Sequence, residues 1–214
     1  MNDYSIFSTV ENIVKIDYQI ESKDILGFYI YGSKVYGTST VKSDTDFMVI
    51  FKDSKSKFYH YKSDDVNIQI ISDIKFDEML YDHDIIAMEV YFDKSPIIKH
   101  CANFVIDTKR LRRSISQKSS NSFVKAYKKI SIEEENSYIG IKSLFHSLRI
   151  LNFGIQIGKC GRIEDYSSAN KYWDEILSML ETNTLLEIHE HFKPEFKRLK
   201  KQFKISYNEL KQLK

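Results

Sequence analysis

One segment, YIYGSKVYGTSTVKSDTDFMVIF at residues 29–51, constrains this chain more than any other. Apolar and aromatic residues run into Gly32-Ser33, and Asp44 and Asp46 stand directly before a second apolar run, FMVIF. A short apolar run of this kind is typical of a buried strand. Isolated carboxylates at the entrance of such a strand are costly, because burial removes their hydration. The pattern therefore predicts a partner that compensates both charges.

The spacing of the two aspartates favours a bound cation as that partner. Residues i and i+2 of a strand point to the same side, so Asp44 and Asp46 can share one ion. Magnesium prefers oxygen ligands and often combines one or two carboxylates with phosphate oxygens. Gly32 lets the backbone approach a phosphate closely, and Ser33 adds an N–H and a hydroxyl. Asp-x-Asp and Gly-Ser also occur in ordinary turns, but their combination between two strands favours a nucleotide site.

This combination resembles the signature of the DNA polymerase β-like nucleotidyltransferase superfamily. That signature is an apolar residue, Gly, Gly or Ser, a spacer, and then Asp-x-Asp or Asp-x-Glu leading into a strand. Here it is Tyr31-Gly32-Ser33, followed by Asp44-Thr45-Asp46 and Phe47. The sequence of this segment is especially similar to that of bacterial and phage nucleotidyltransferases with GSRAYG-type loops, including a branch linked to RNA repair. The resemblance covers residues 26–72.

The resemblance implies both a fold and an activity. The expected fold is α+β, a small mixed sheet flanked by helices, followed by an all-helical C-terminal part. Gly32 and Ser33 would hold the triphosphate of an NTP such as ATP, while Asp44 and Asp46 would bind Mg²⁺ or Mn²⁺ and serve catalysis. The reaction would transfer a nucleoside monophosphate to an acceptor hydroxyl and release pyrophosphate.

Many members of the superfamily use a third carboxylate on a later strand, as a ligand and probable base. The strand expected to carry it is 66–71, where the polar residues Asn67 and Gln69 cannot act as a base. Asp65 shares the parity of Asn67 and is the nearest carboxylate, so it is the first candidate. Glu89 is a second candidate, and the absence of any third ligand stays open.

The pattern of the remaining chain changes near residue 107. Residues 1–106 are predicted to form the catalytic domain and residues 107–214 a helical domain. A capping box at Ser8–Glu11 predicts a helix that ends near Glu21. Predicted strands cover residues 26–31, 47–51 and 66–71, and predicted helices cover residues 76–92 with a break near 82–84, 109–130, 134–158, 168–180 and 194–214.

Charge is divided unequally along the sequence. Residues 1–100 carry 11 Lys/Arg against 17 Asp/Glu, a net charge of −6, whereas residues 101–214 carry 21 against 13, a net charge of +8. An acidic half can hold a metal ion and a basic half can attract a polyanion. Lysine-rich, solvated helix faces explain the same composition about equally well.

The basic half contains one more specific pattern. Lys142, His146 and Arg149 repeat at spacings of four and three, beside an apolar stripe that includes Leu144 and Leu148. A face of this kind suits a triphosphate or nucleic acid, and the basic helical half predicts RNA, including tRNA, as the acceptor. A solvated face with one partly buried histidine is the alternative.

Composition narrows the remaining choices. The 214 residues are 42% apolar and contain two cysteines, without a CxxC pair, so neither a disulfide framework nor a zinc site is indicated. No segment approaches the roughly 20 apolar residues of a membrane span, and a reducing cytoplasm is the predicted location. The base preference and the oligomeric state stay open. A catalytically weak nucleotide-binding or protein-interaction module with the same fold is the alternative function.

Overall fold

A computed structural model describes residues 3–41, 43–131 and 137–212 of the chain. It divides into two compact units, residues 1–105 and residues 106–214. The first unit contains a four-stranded sheet with helices, and the described elements of the second unit are all helical. This architecture confirms the predicted α+β fold class with a helical C-terminal part. The assignment of a catalytic role to residues 1–106 stays a prediction.

The first unit alternates strands and short helices. Its elements in chain order are α1 (Asp3–Tyr18), a 3₁₀ turn (Ser22–Asp24), β1 (Ile25–Tyr31), α2 (Ser33–Tyr36), β2 (Thr45–Phe51), β3 (Phe58–Lys62), β4 (Val66–Ser72), α3 (Asp73–Tyr81) and α4 (Ile85–Phe92). Ser72 caps α3 by accepting a hydrogen bond from the backbone of Lys75, and Asp84 caps α4 in the same way. The Asp84 cap at the start of α4 explains why the predicted break near 82–84 separates two helices.

The sheet is mixed, with the strand order β1-β2-β4-β3. β1 pairs antiparallel with β2, β2 pairs parallel with β4, and β4 pairs antiparallel with β3. The register places Tyr31 of β1 opposite Asp46 of β2, and Asp46 opposite Asn67 of β4. The C-terminal end of β1 therefore lies beside the N-terminal ends of β2 and β4, which brings the two signature segments to one edge.

Each face of the sheet packs against different helices. On one face, Val10 and Val14 of α1 bury against Phe28, Phe47 and other apolar strand residues. On the opposite face, Met48 and Ile50 of β2 pack with the apolar residues of α3 and α4. Asp46 has the parity of Met48 and Ile50. The second face is therefore apolar along most of its length and polar at the end that carries Asp46.

The second unit is built from four helices: α5 (Thr108–Ser131), α6 (Ser137–Cys160), α7 (Asn170–Met179) and α8 (Leu185–Gln212). The apolar stripe predicted on α6 is buried, with Leu144, Leu148 and Leu151 fully inaccessible to solvent. Gly154 and Gly158 of α6 lie against Phe203 and Ser206 of α8, where a Cβ would approach within 3.1 Å of the neighbouring side chains. Close helix packing therefore explains the small residues on α6.

Several element boundaries differ from prediction. α1 begins at Asp3 and not after the predicted capping box, because Ile6 and Phe7 also pack on the sheet and extend its apolar stripe. α8 begins at Leu185 and contains Pro194, which the sequence placed at the helix start. The predicted start of α6 at Glu134 lies outside the described residues.

One strand was missed entirely. β3 (Phe58–Lys62) has alternating exposed and half-buried residues, so it lacks the apolar run by which the other strands were predicted. It is an edge strand, and an edge strand needs fewer apolar residues because one side remains open to solvent. Within residues 3–41, 43–131 and 137–212, no helix combines the length and apolar character needed to cross a membrane.

Candidate functional site

The Gly32 turn lies directly against Asp46. Gly32 follows β1 and has φ +78° and ψ −151°, a conformation almost confined to glycine. A Cβ added at Gly32 would overlap the carboxylate of Asp46. Both the backbone conformation and the available space therefore require glycine here, and they bring the Gly-Ser segment into contact with the Asp-x-Asp segment.

A buried hydrogen bond holds the short helix that follows Gly32. The Tyr36 hydroxyl donates to the Glu89 carboxylate of α4, and these side chains are 3% and 2% exposed. The backbone N–H groups of Val35 and Tyr36 donate to the carbonyl of Gly32. Glu89 therefore helps to hold α2, and with it the Gly32-Ser33 turn, against the second face of the sheet.

A chain of polar contacts crosses three strands at the same edge. The Asn67 side-chain N–H donates to Asp46 Oδ1 at 2.7 Å, and His60 Nε2 lies 2.6 Å from Asn67 Oδ1. These residues come from β4, β2 and β3. Asn67 and Asp46 are half-buried, whereas His60 is exposed. Asp46 is therefore oriented from one side by Asn67 and limited on the other by the Gly32 turn.

The pKa of Tyr31 is raised by burial and by nearby carboxylates. Burial is the largest cause that raises the pKa of Tyr31, and the charges of Asp46, Glu89 and Asp44 raise it further. A side-chain hydrogen bond with Gln69 partly offsets these effects. The charges of carboxylates in the β2 segment and in α4 therefore act on one side chain at the end of β1.

Asp44 and Asp65 lie at the ends of their strands. Asp44 is half-buried and immediately precedes β2, whereas Asp65 is exposed and precedes β4. The Asp65 carbonyl accepts a hydrogen bond from the Thr45 N–H at 2.8 Å, so the backbone of Asp65 supports the β2 entrance. The residue directly opposite Asp46 is Asn67. A role for the Asp65 carboxylate as a third ligand or base stays a prediction.

The acidic donors fit magnesium when a substrate supplies the remaining ligands. Among the described residues, no group of three or more His, Cys, Asp or Glu side chains is arranged to hold a metal ion alone. Asp44 and Asp46 offer carboxylate oxygens, and Asp46 lies against the Gly32 turn. Magnesium is commonly bound by one or two carboxylates together with substrate phosphates. The donor set therefore suits a metal that arrives with a nucleotide.

The basic residues predicted on α6 occupy different environments. Arg149 is 8% exposed, its guanidinium lies 6.0 and 5.7 Å from the ring centres of Phe145 and Phe153, and its Nη2 donates to His146 Nδ1 at 2.8 Å. Lys142 is exposed, with its ammonium 5.5 Å from the ring centre of Tyr138. The structure thus pairs His146 with Arg149 and leaves Lys142 at the surface. Nucleotide binding by these three residues stays a prediction.

His146 is adapted to remain neutral. Burial is the main reason that its pKa is lowered to about 3, and the positive charges of Arg149, Lys118 and Lys125 lower it further. A neutral imidazole can accept the hydrogen bond from Arg149, whereas an imidazolium cannot. The cationic character of this cluster therefore comes from Arg149 and the two α5 lysines.

Three contributors to the first-unit site were not identified as such from sequence. No role was predicted for Tyr36, His60 lies in the strand that was missed, and Asn67 was considered only as a residue that cannot act as a base. The parity of Asn67 with Ile71 and the alternation in FYHYK were the available signals. Neither signal indicates that an amide would connect a histidine to an aspartate.

Similarity to known proteins is confined to structure. No protein-family model matches this chain, and no curated protein sequence matches it. The chain is similar to a nucleotidyltransferase-like protein from Exiguobacterium sibiricum 255-15, with 14% identity and a TM-score of 0.39 over 97% of this chain and 79% of that one. It is also similar to spectinomycin adenyltransferase from Enterococcus faecialis, solved with ATP and spectinomycin, with 16% identity and a TM-score of 0.45 over 98% and 100%. These likenesses are distant, so the function proposed below is derived from the residues of this chain.

Proposed function

We propose that this protein is a magnesium-dependent nucleotidyltransferase. It transfers a nucleoside monophosphate from an NTP to an acceptor hydroxyl and releases pyrophosphate. The contact between Gly32 and Asp46 carries the proposal, because it joins the Gly-Ser turn to a carboxylate suited to the cation that accompanies a triphosphate.

Each residue has a distinct part in the proposed reaction. The Gly32-Ser33 turn receives the triphosphate, with the Ser33 hydroxyl as a donor. Asp44 and Asp46 hold the metal, which stabilises the attacking and leaving oxygens when bound. Asn67 keeps the Asp46 carboxylate in one orientation, and the Tyr36–Glu89 pair holds the turn beside it. Mn²⁺ has the same preference for oxygen ligands and is expected to replace Mg²⁺.

RNA, including tRNA, is the acceptor class that we propose, in a cytoplasmic setting. The support is the net charge of +8 in residues 101–214 and the surface position of Lys142, Lys118 and Lys125. If these lysines contact phosphates, each lost contact reduces the slope of log binding constant against log salt concentration by about one. Lys142→Ala should show this change, and Lys201→Ala on exposed α8 surface is the matched control.

The test is transfer of label by the whole protein. The protein is incubated with each α-labelled NTP, Mg²⁺ and one of three acceptors: total RNA, spectinomycin, or no acceptor beyond the protein itself. We expect labelled RNA and an equivalent amount of pyrophosphate. Label on spectinomycin or on the protein would keep the transferase and replace the acceptor, whereas no label and no pyrophosphate would contradict the proposal.

Asn67 favours a second candidate function, a nucleotide-binding or protein-interaction module with weak catalysis. It occupies the position opposite Asp46, where a carboxylate would serve as a third ligand or base. Equilibrium binding of ATP with Mg²⁺, measured beside the transfer assay, separates the two functions. Binding without pyrophosphate release by the parent protein would favour the module.

A further inference from the structure

The amide of Asn67 has only one possible orientation between its two neighbours. Asp46 as a carboxylate only accepts hydrogen bonds, so the Asn67 atom 2.7 Å from it must be the N–H donor. The Asn67 oxygen is then directed at His60, 2.6 Å away. Because an amide oxygen only accepts, His60 must carry a proton on Nε2. In the neutral imidazole, Nδ1 is therefore the atom with a lone pair.

His60 is also placed where an acceptor can reach it. It lies on β3, the edge strand, and is exposed, while its ring contacts the face of the sheet that carries Asp46. The Tyr18 hydroxyl of α1 donates to the His60 carbonyl at 3.3 Å, which helps to fix the backbone of the strand. An oriented imidazole at the open side of the polar edge is thus available to a molecule entering from solvent.

We propose that His60 is the general base for the acceptor hydroxyl, in the role that a third carboxylate would fill, and that Asn67 orients it. This inference rests on the proposed nucleotidyltransferase function. The acceptor O–H proton moves to His60 Nδ1 as the acceptor oxygen forms a bond to the α-phosphorus. The bond from that phosphorus to the bridging oxygen breaks, and its electron pair leaves on pyrophosphate. The imidazolium then returns its proton to solvent.

With His60 as the base, the site does not need a carboxylate at the position of Asn67. An amide cannot take a proton, but it can hold a carboxylate with one end and an imidazole with the other. The two functions of a third carboxylate, orientation near the metal and proton removal, are then divided between Asn67 and His60. In this arrangement neither function is assigned to Asp65, which precedes β4, or to Glu89, which accepts a hydrogen bond from Tyr36.

Three variants separate a base from a positioning residue, with pyrophosphate release from ATP and total RNA as the assay. General bases typically contribute about 10²- to 10⁴-fold, so His60→Ala should lower kcat by about 10²-fold or more. His60→Gln keeps an N–H donor for Asn67 but cannot take the proton, so it should be equally slow. Added imidazole should partly restore His60→Ala, because the edge strand is open. His191→Ala, at an exposed histidine of α8, is the control and should match the parent.

A second set of variants introduces a carboxylate at position 67. Asn67→Asp places an acidic group opposite Asp46, so His60→Ala should cost far less in this background than in the parent. Binding of Mn²⁺ with ATP, measured by calorimetry, should be unchanged in His60→Ala and His60→Gln, which shows that these variants retain the site. Parent-like kcat in His60→Ala, or full activity in His60→Gln, would overturn the role of His60 while leaving the transferase intact. Absence of pyrophosphate release by the parent with every NTP and every acceptor of the transfer assay would instead overturn both proposals.

Discussion

Buried serines of the helical unit bond within their own helices, whereas the polar groups near the edge of the sheet unit bond between elements. In the helical unit, the buried hydroxyls of Ser147 and Ser206 donate to carbonyls three residues earlier in the same helix. In the sheet unit, Tyr36 and Glu89 connect α2 with α4, and Asn67 connects β4 with β2. A bond within one helix forms wherever that helix forms. A bond between elements requires the complete fold, so it can position groups that are distant in sequence.

The charged residues follow the same division. Residues 1–100 have a net charge of −6 and gather carboxylates around Tyr31, whereas residues 101–214 have a net charge of +8 and keep most lysines at the surface. Concentrated like charge destabilises a fold unless a ligand neutralises it. A ligand at the polar edge of the sheet is our proposal, and four sets of variants test it by comparing the two units.

The largest expected effect comes from the paired aspartates. Asp44→Asn with Asp46→Asn should reduce nucleotidyl transfer by about 10³-fold or more, because both carboxylates that hold the metal are lost. The free energy of unfolding should change little, since Asn preserves the side-chain volume. Asp64→Asn with Asp77→Asn, at exposed positions of the same unit, is the matched control. Asp65→Asn alone separately tests the third-carboxylate prediction, and wild-type transfer by the first double variant would contradict the proposed site.

Two glycines with positive φ allow a comparison between the units. Gly161→Ala should cost about 1–2 kcal/mol through the left-handed backbone alone, because no atom lies within 4 Å of its added Cβ. Gly32→Ala adds overlap with Asp46 to a backbone cost of about 1–3 kcal/mol. It should therefore unfold at lower urea concentration and also lose ATP affinity. Equal stability losses with unchanged ATP binding would show that the Gly32 turn does not contact the nucleotide.

Removing one tyrosine hydroxyl from each unit should have unequal effects. Tyr36→Phe removes a donor from the buried Glu89 and should cost about 2 kcal/mol of unfolding free energy. Tyr172 donates to Glu195 at 2.6 Å, but Glu195 also receives two hydrogen bonds from Arg198. Tyr172→Phe should therefore cost about 1 kcal/mol or less. Urea titrations measure both values, and a larger loss in Tyr172→Phe would reverse the comparison.

The smallest effect concerns His146 and depends on pH. Its folded-state pKa of about 3 lies below the ordinary value of 6.5, so the unfolded chain binds the proton more readily. The contribution of His146 is complete above pH 6.5 and decreases as pH falls toward 3. His146→Gln should flatten the dependence of unfolding free energy on pH in this range. His191→Gln is the control, and an unchanged slope in His146→Gln would mean that His146 is protonated without penalty.

The parts of the fold predicted from sequence were those specified by local pattern. Three strands were predicted because glycine or aspartate borders each apolar run. Helix α6 was predicted because Leu144, Leu148 and Leu151 repeat with helical spacing. β3 was missed because an edge strand carries few apolar residues. The predicted start of α8 at Pro194 was wrong, because tertiary packing over the whole helix outweighs the local cost of one proline.

The sequence by itself determined the order and spacing of Gly32-Ser33 and Asp44-Thr45-Asp46 at the ends of two apolar runs, because these follow from the covalent chain. Only the tertiary structure decided that Asn67 stands opposite Asp46, that His60 contacts it, and that Tyr36 reaches Glu89. These contacts join residues that are 7 to 53 positions apart in sequence. Strand order and register bring them together, and both are set by the packing of the sheet between α1 on one face and α3 and α4 on the other.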